Sequence, residues 1–220
     1  MKKPKLILID LDGTLVDSVP DLAFCVDHMM RRIGREAWGE TRVRDWVGNG
    51  VERLVRRALT GQLDGEPDDA VFEQAYPIFI ELYQRYNGKN SLLYPGVREG
   101  LDYMAEQGYT LGCVTNKAAQ FTNPLLKALG IHPCFRTIIS GDSLPRKKPD
   151  PMPLLHAAEV FGVTPADSLM LGDSVSDVKA ARAAGFQIVC VSYGYNHGRD
   201  IREAEPDAVI DSFVELRELI

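Results

Sequence analysis

The sequence predicts an α/β protein: a doubly wound parallel sheet whose first strand is separated from the others by an inserted helical segment. Three observations carry that expectation. From about Ser91 to the C-terminus, short apolar runs alternate with apolar stripes at helical spacing, the order that builds a parallel sheet covered by helices. A lone apolar run, Leu6-Ile7-Leu8-Ile9, stands near the start. Between the two lie about 70 residues with helical stripes and no strand pattern, too long for an ordinary connection.

The elements follow in order. Leu6 to Ile9 reads as a short buried strand. In the intervening segment Leu22, Cys25, Val26, Met29 and Ile33 share one helical face, and Val51, Leu54, Val55, Ala58 and Leu59 share a second. Phe72, Ala75, Tyr76, Phe79, Tyr83 and Tyr86 make a third, with Pro77 expected to kink it. Val97, Leu101, Met104 and Ala105 form the next stripe, followed by the strand Leu111 to Val114. Phe121, Leu125, Leu126 and Leu129 mark a helix stopped at Gly130, and Phe135 to Ile139 is the next strand. Leu154, Leu155, Ala158 and Phe161 mark a helix closed by Gly162, ahead of the strand Leu169 to Leu171. A helix from Ser176 to Ala184, ended by Gly185, precedes the strand Ile188 to Val191; Ala208 to Ile210 is expected as an edge strand before a last helix. The expected division is a core of residues 1–15 and 91–220 and a helical unit of residues 16–90. Helices that follow directly on a strand end suggest a lid; the alternative is one more wall of the core.

Composition narrows the function. A chain of 220 residues, 45% hydrophobic, can bury a sizeable core. No apolar run reaches the roughly 18 residues of a membrane span, and Met1-Lys2-Lys3-Pro4 leads into a strand rather than a signal peptide. The expectation is a cytoplasmic protein without a membrane partner. A net charge of -6 and the lack of a basic stripe argue against nucleic acid. Chemistry on an anionic substrate would then depend on a local field from a metal, a lysine and helix N-termini. Cys25, Cys113, Cys134 and Cys190 are too scattered for a zinc or dithiol site, and His28, His132, His156 and His197 fit no metal or base pattern.

Asp10-Leu11-Asp12-Gly13-Thr14 stands where the first strand ends. In extended chain, residues i and i+2 face the same side, so both carboxylates can converge on one ion and one substrate group. An Asx turn after a buried strand is the plainer alternative. Similar groups recur at later strand ends: Thr115-Asn116-Lys117 after Val114, and Gly172-Asp173-Ser174 with Asp177 after Leu171. Ligands of an open parallel sheet collect outside its carboxyl ends, where these residues can meet. In Arg146-Lys147-Lys148-Pro149-Asp150-Pro151 the prolines stiffen the chain, and Lys148 is the better candidate to point inward among the aspartates.

Together these stretches resemble the haloacid dehalogenase superfamily of phosphohydrolases: DLDGT at Asp10 to Thr14, VTNK at Val114 to Lys117, Lys148 in KPDP, and GDSVSD at Gly172 to Asp177. The resemblance spans nearly the whole chain. It implies a Rossmann-like core with a helical cap, and a magnesium-dependent phosphatase acting on a small phosphorylated metabolite through an aspartyl-phosphate. Asp10 is then the nucleophile and Asp12 the acid and base. Mg2+ is held by Asp10, Asp173 and the main-chain carbonyl of Asp12, with Asp177 behind these ligands. Thr115, the Asn116 amide and Lys148 hold the transferring phosphoryl group. Within the superfamily, Leu15-Val16-Asp17-Ser18, Trp46-Val47-Gly48-Asn49-Gly50 and Tyr193-Gly194-Tyr195-Asn196 are most similar to the phosphoglycolate phosphatases, which implies 2-phosphoglycolate as substrate. A sugar phosphate or a nucleotide is the alternative, and after these a phosphomutase. Family sugar mutases carry a histidine soon after the first motif, and Val16 to Asp21 has none. Dehalogenases lack the acid found here at Asp12, and a phosphonatase would want a lysine in the first cap helix, where Pro20 to Ile33 has none.

Substrate choice is expected to lie in the helical unit. The turn Gly48-Asn49-Gly50 can present N–H groups and an amide to a small carboxylate, or be an ordinary interhelical turn. Arg42, Arg44 and Arg53 are further candidates for that carboxylate, and Tyr193, Tyr195 and Asn196 either line the rim or form a structural corner. A monomer or a homodimer is expected.

Overall fold

The strand β1 (Leu6–Ile9) runs through the middle of the molecule with all four residues fully buried. The structure is a computed structural model that describes residues 1–220. After β1 the chain forms a two-residue strand β2 (Val16–Asp17) and then four helices: α1 (Val19–Arg32), α2 (Glu40–Arg44), α3 (Val51–Thr60) and α4 (Asp69–Tyr86). It returns through β3 (Leu92–Leu93), which pairs antiparallel with β2. The alternation expected from the sequence follows: α5 (Val97–Glu106), β4 (Thr110–Val114), α6 (Ala119–Ala128), β5 (Thr137–Ile139), α7 (Met152–Phe161), β6 (Ser168–Gly172), α8 (Val175–Ala184), β7 (Gln187–Val191), β8 (Ala208–Ile210) and α9 (Leu216–Leu219).

The large sheet is parallel throughout, in the order β5-β4-β1-β6-β7-β8, with β8 at the edge as expected. Alternate residues of β1 enter different cores. Ile7 and Ile9 join a 22-residue cluster with α5, α6 and the C-terminal segment, while Leu6 and Leu8 join a 16-residue cluster with α7 and α8. This two-sided burial explains why β1 is an unbroken apolar run rather than an alternating one. Each such side chain contributes about 1.5–3 kcal/mol relative to its exposed state.

Topology places the functional end of the sheet. From β1 the chain fills one side with β4 and β5 and then the other with β6, β7 and β8, so the carboxyl end of β1 is the switch point at which a crevice opens. The register levels the neighbouring ends, since Ile9 lies opposite both Cys113 and Leu171. Asp10, Thr115 and Asp173 therefore emerge side by side.

The helices between β2 and β3 have a core largely their own, 20 buried residues that include Trp46, Phe79 and Tyr83. Pro77 lies inside α4, which runs from Asp69 to Tyr86 without a break. The two ends of this segment are tied together by Asp21. Its fully buried carboxylate accepts hydrogen bonds from the backbone N–H groups of Gly88, Asn90 and Ser91, and from the side chains of Asn90 and Ser91. No helix is long and apolar enough to cross a membrane.

Candidate active site

The first loop of the site is shaped by a glycine. Gly13 has φ +86°, and a Cβ there would fall 2.2 Å from Asp173 Oδ2. Gly194 presses on the same side chain from the other side, its notional Cβ 2.1 Å from Asp173 Cβ. Between them the Thr14 hydroxyl donates to Asp173 Oδ1 at 2.8 Å and the Tyr195 N–H to Oδ2 at 2.5 Å. The orientation of Asp173 is thereby fixed by Thr14, 159 positions away in the sequence, by Tyr195, 22 positions away, and by two glycines that lack a side chain.

Asp10 sits beside it. Its Oδ1 accepts the Leu11 N–H at 2.8 Å and lies 2.9 Å from Lys148 Nζ. The same ammonium donates to Val114 O at 2.7 Å and to Asp177 Oδ1 at 2.7 Å, which commits all three of its protons. Asp177 is just as occupied: its Oδ2 accepts from the N–H groups of Asp173 and Ser174 and from the Ser174 hydroxyl, closing a capping box at the start of α8.

One positive charge faces three negative ones in this corner. Carboxylate oxygens of Asp10, Asp173 and Asp177 lie within 4.8 Å of one another, with Lys148 as the ammonium among them. Burial pushes the Asp10 carboxyl up to about 7, against the lowering pull of Lys148 and with the Asp177 charge adding to the rise. Burial likewise holds Asp173 well above the usual carboxylate range, reinforced by the charges of Asp177 and Asp10. Two uncompensated carboxylates in a buried place, both with oxygen lone pairs to spare, fit a hard divalent cation.

Asp12 has a different neighbour. Both of its oxygens lie near Lys117 Nζ, at 3.0 and 3.1 Å, and the same ammonium donates to the hydroxyl of Tyr83 in α4. Lys117 is buried, as is Tyr83. Thr115 Oγ1 accepts the Lys117 N–H at 3.1 Å, which leaves the hydroxyl proton for a ligand. Asn116 Nδ2 donates to Gly48 O at 3.2 Å and to Lys148 O at 3.0 Å, bridging the helical segment to the core.

A cleft opens over these groups. Asp10, Asp12, Thr115, Asn116 and Lys117 line it from the sheet; Leu22, Val47, Gly48, Gly50, Val51 and Leu54 line it from the helices. The structure thus brings Asp10, Asp12, Thr115, Asn116, Gly48 and Gly50 to one cavity, with Asp173 next to Asp10 and with Lys148 and Asp177 buried behind it. Asn49 is elsewhere. Its Oδ1 accepts from Arg57 Nη2 at 2.7 Å, and it borders a separate polar cavity with Arg53 and Arg56.

The arginines considered for a substrate carboxylate are also engaged away from the cleft. Arg42 donates to Gly61 O, Arg44 pairs with Asp17 and Glu40, and Arg53 pairs with Asp64 and Glu66. The stretch Tyr193 to Asn196 is a structural corner rather than a rim. The Tyr193 hydroxyl donates to Thr14 O at 3.0 Å, the Tyr195 hydroxyl accepts the Ser18 N–H and bonds Asp17, and Asn196 Oδ1 accepts the Val175 N–H. Sequence reasoning named Lys117 and Thr14 within the strand-end motifs without giving either a partner, and passed over Tyr83 as part of the site. Lys117 had a signal, a lysine two residues beyond the strand-end hydroxyl, whereas Tyr83 reads as one of many aromatics in an apolar stripe.

Known proteins resemble this chain in sequence and fold. A family model for haloacid dehalogenase-like hydrolases matches residues 7–191. A phosphoglycolate phosphatase of Nitrosococcus oceani is 62% identical over 220 residues, covering 100% of this chain and 98% of the relative. One from Nitrosospira multiformis is 48% identical over 98% of this chain and 95% of its own length. The crystal structure of a predicted phosphoglycolate phosphatase from Haemophilus somnus 129pt superposes with a TM-score of 0.93 at 36% identity, covering 100% of this chain and 99% of that one. With the fold, the strand-end carboxylates and full-length relatives in agreement, the chain belongs to the haloacid dehalogenase-like hydrolase family, and within it to the phosphatases.

Proposed function

We propose that this phosphatase hydrolyses 2-phosphoglycolate to glycolate and phosphate in a magnesium-dependent reaction through a phosphorylated Asp10. The observation that carries the mechanism is the division between the two carboxylates of one tripeptide. Asp10 belongs to the acidic corner with Lys148, whereas Asp12 faces the cleft beside Lys117. Asp10 attacks phosphorus, and the bond from phosphorus to the leaving oxygen breaks as that oxygen takes a proton from Asp12. Asp12 then takes a proton from water, whose oxygen attacks the phosphoaspartate and releases phosphate with Asp10 restored.

Asp10, Asp173 and the main-chain carbonyl of Asp12 would hold the magnesium ion, with Asp177 buttressing them. When bound, magnesium offsets the charge of the corner and of the phosphoryl group. The Thr115 hydroxyl and the Asn116 main-chain N–H take phosphoryl oxygens. Lys148, with its protons already on Asp10, Asp177 and Val114, acts chiefly by keeping Asp10 ionised and oriented. Residues 1–15 and 91–220 form the catalytic core, and residues 16–90 the cap that selects the leaving group.

Phosphoglycolate is favoured by the 62% identity over the full chain to a phosphatase of that name. The test is a magnesium-dependent comparison of kcat/KM across phosphorylated metabolites, with Asp10→Asn alongside. The expected result is a clear preference for 2-phosphoglycolate over sugar phosphates and nucleotides, and a variant that neither turns over nor traps a phosphoenzyme. Better turnover of a sugar phosphate would overturn the substrate, and an active Asp10→Asn the mechanism.

A further inference from the structure

Resting on the phosphoglycolate reading, we infer that Lys117, anchored by Tyr83 of α4, is the specificity residue that receives the carboxylate of the leaving group. Charge in the cleft leads to it first. Lys117 is the one cationic side chain lining the cavity. Lys117 spends two contacts on the two oxygens of one carboxylate, Asp12, so one of them can pass to an arriving carboxylate. Lys148 is held by three separate residues behind Asp10 and lines no part of the cavity, and Lys147 lies outside, donating to Asn49 O at 3.1 Å and bordering the neighbouring polar cavity.

Position leads to it again. Asp12 serves the leaving oxygen and so must come within hydrogen-bond reach of it. In glycolate the carboxylate stands one methylene beyond that oxygen. Lys117 Nζ, 3.0 Å from Asp12 Oδ1, is therefore beside the place where this second charge arrives. The rest of the helical wall, Leu22, Val47, Val51 and Leu54, offers the carboxylate no side-chain donor. An ammonium among apolar side chains acts at lower effective dielectric than one in water and discriminates more strongly for it.

Tyr83 supplies the hold. Its ring is fully buried against Phe79 and Phe121, and its hydroxyl accepts from Lys117, so a residue of the cap fixes an ammonium of the core. Tyr83 is a positioning residue and does not itself line the cleft.

The test compares kcat and KM for 2-phosphoglycolate and for ethyl phosphate, whose leaving group lacks the carboxylate, in the wild type, Lys117→Met, Tyr83→Phe and Lys147→Met. Lys117→Met is expected to lower kcat/KM for phosphoglycolate by about 10- to 100-fold, mainly through KM, with a much smaller loss on ethyl phosphate. Its affinity for glycolate as a competitive inhibitor falls in parallel. Tyr83→Phe keeps the packing and is expected to shift the same ratio by about 3- to 10-fold, which tests the assignment even if Lys117→Met fails to fold. Lys147→Met leaves the ratio unchanged. Equal losses on both substrates in the Lys117 and Tyr83 variants would overturn the inference, because Lys117 would then serve Asp12 or the phosphoryl group alone. A wild type without preference for phosphoglycolate would instead overturn the substrate reading on which the inference rests.

Discussion

Two buried lysines flank the first loop, and their surroundings differ in kind. Lys148 is bound by a backbone carbonyl and two aspartates, every partner coming from a strand end or helix start of the sheet domain. Lys117 is bound by one aspartate of the core and one tyrosine of α4. The first ammonium is walled into an excess of negative charge, and the second faces the cleft. The lesson is that the surroundings of Lys148 are built within the sheet domain alone, while those of Lys117 are assembled across two packing units and change when either does.

Removing the first lysine should have the largest effect. Lys148→Met leaves Asp10 and Asp177 buried without their cation, and a destabilisation of about 3–5 kcal/mol is expected by urea unfolding, with activity lost on every substrate. If the variant instead lost only discrimination among leaving groups, the contrast between the two lysines would fail.

A pH titration of metal affinity is expected to show a smaller effect. With the Asp10 carboxyl raised from 3.8 to about 7, the folded metal-free protein binds a proton there that the unfolded chain has already lost. Its stability should therefore decline as pH rises through that interval, and magnesium should reverse the decline by replacing the proton. The apparent magnesium affinity should fall as pH drops below about 7. Calorimetric titration across pH, paired with thermal melts, checks both; a pH-independent affinity would separate Asp10 from the metal.

The smallest change is expected at Asn49. Since its carboxamide is joined to Arg57 rather than to the cleft, Asn49→Ala should cost about 1 kcal/mol of stability with KM nearly unaltered. A large rise in KM for phosphoglycolate, but not for an aryl phosphate, would restore Asn49 to the cleft and weaken the case for Lys117.

The fold and the gathering of the strand-end side chains were legible because both obey short rules. Continuous apolar runs and period-3.6 stripes marked the long elements, and a parallel sheet gathers its strand ends, so Asp10, Thr115, Asp173 and Asp177 could be placed together from their positions alone. Other features follow no local rule. The pairing of β2 with β3 and the five-residue helix α2 are too short to leave a period. Asn49 looked like a ligand in a glycine turn, but Arg57, two turns along α3, reaches back to take its oxygen. Tyr83 occupies the expected apolar stripe, and only tertiary packing turns its hydroxyl toward Lys117.

Asp21 has a further consequence. By gathering the returning chain at Gly88, Asn90 and Ser91 against the start of α1, it makes the two ends of the helical segment neighbours. To the sheet, everything between them is a closed appendage whose two chain connections lie together. The helices can therefore diverge, lengthen or be exchanged for others without disturbing the register of β1 with β4 and β6. A fold joined in this way can acquire new substrates by changing one part and keep its chemistry by leaving the other alone.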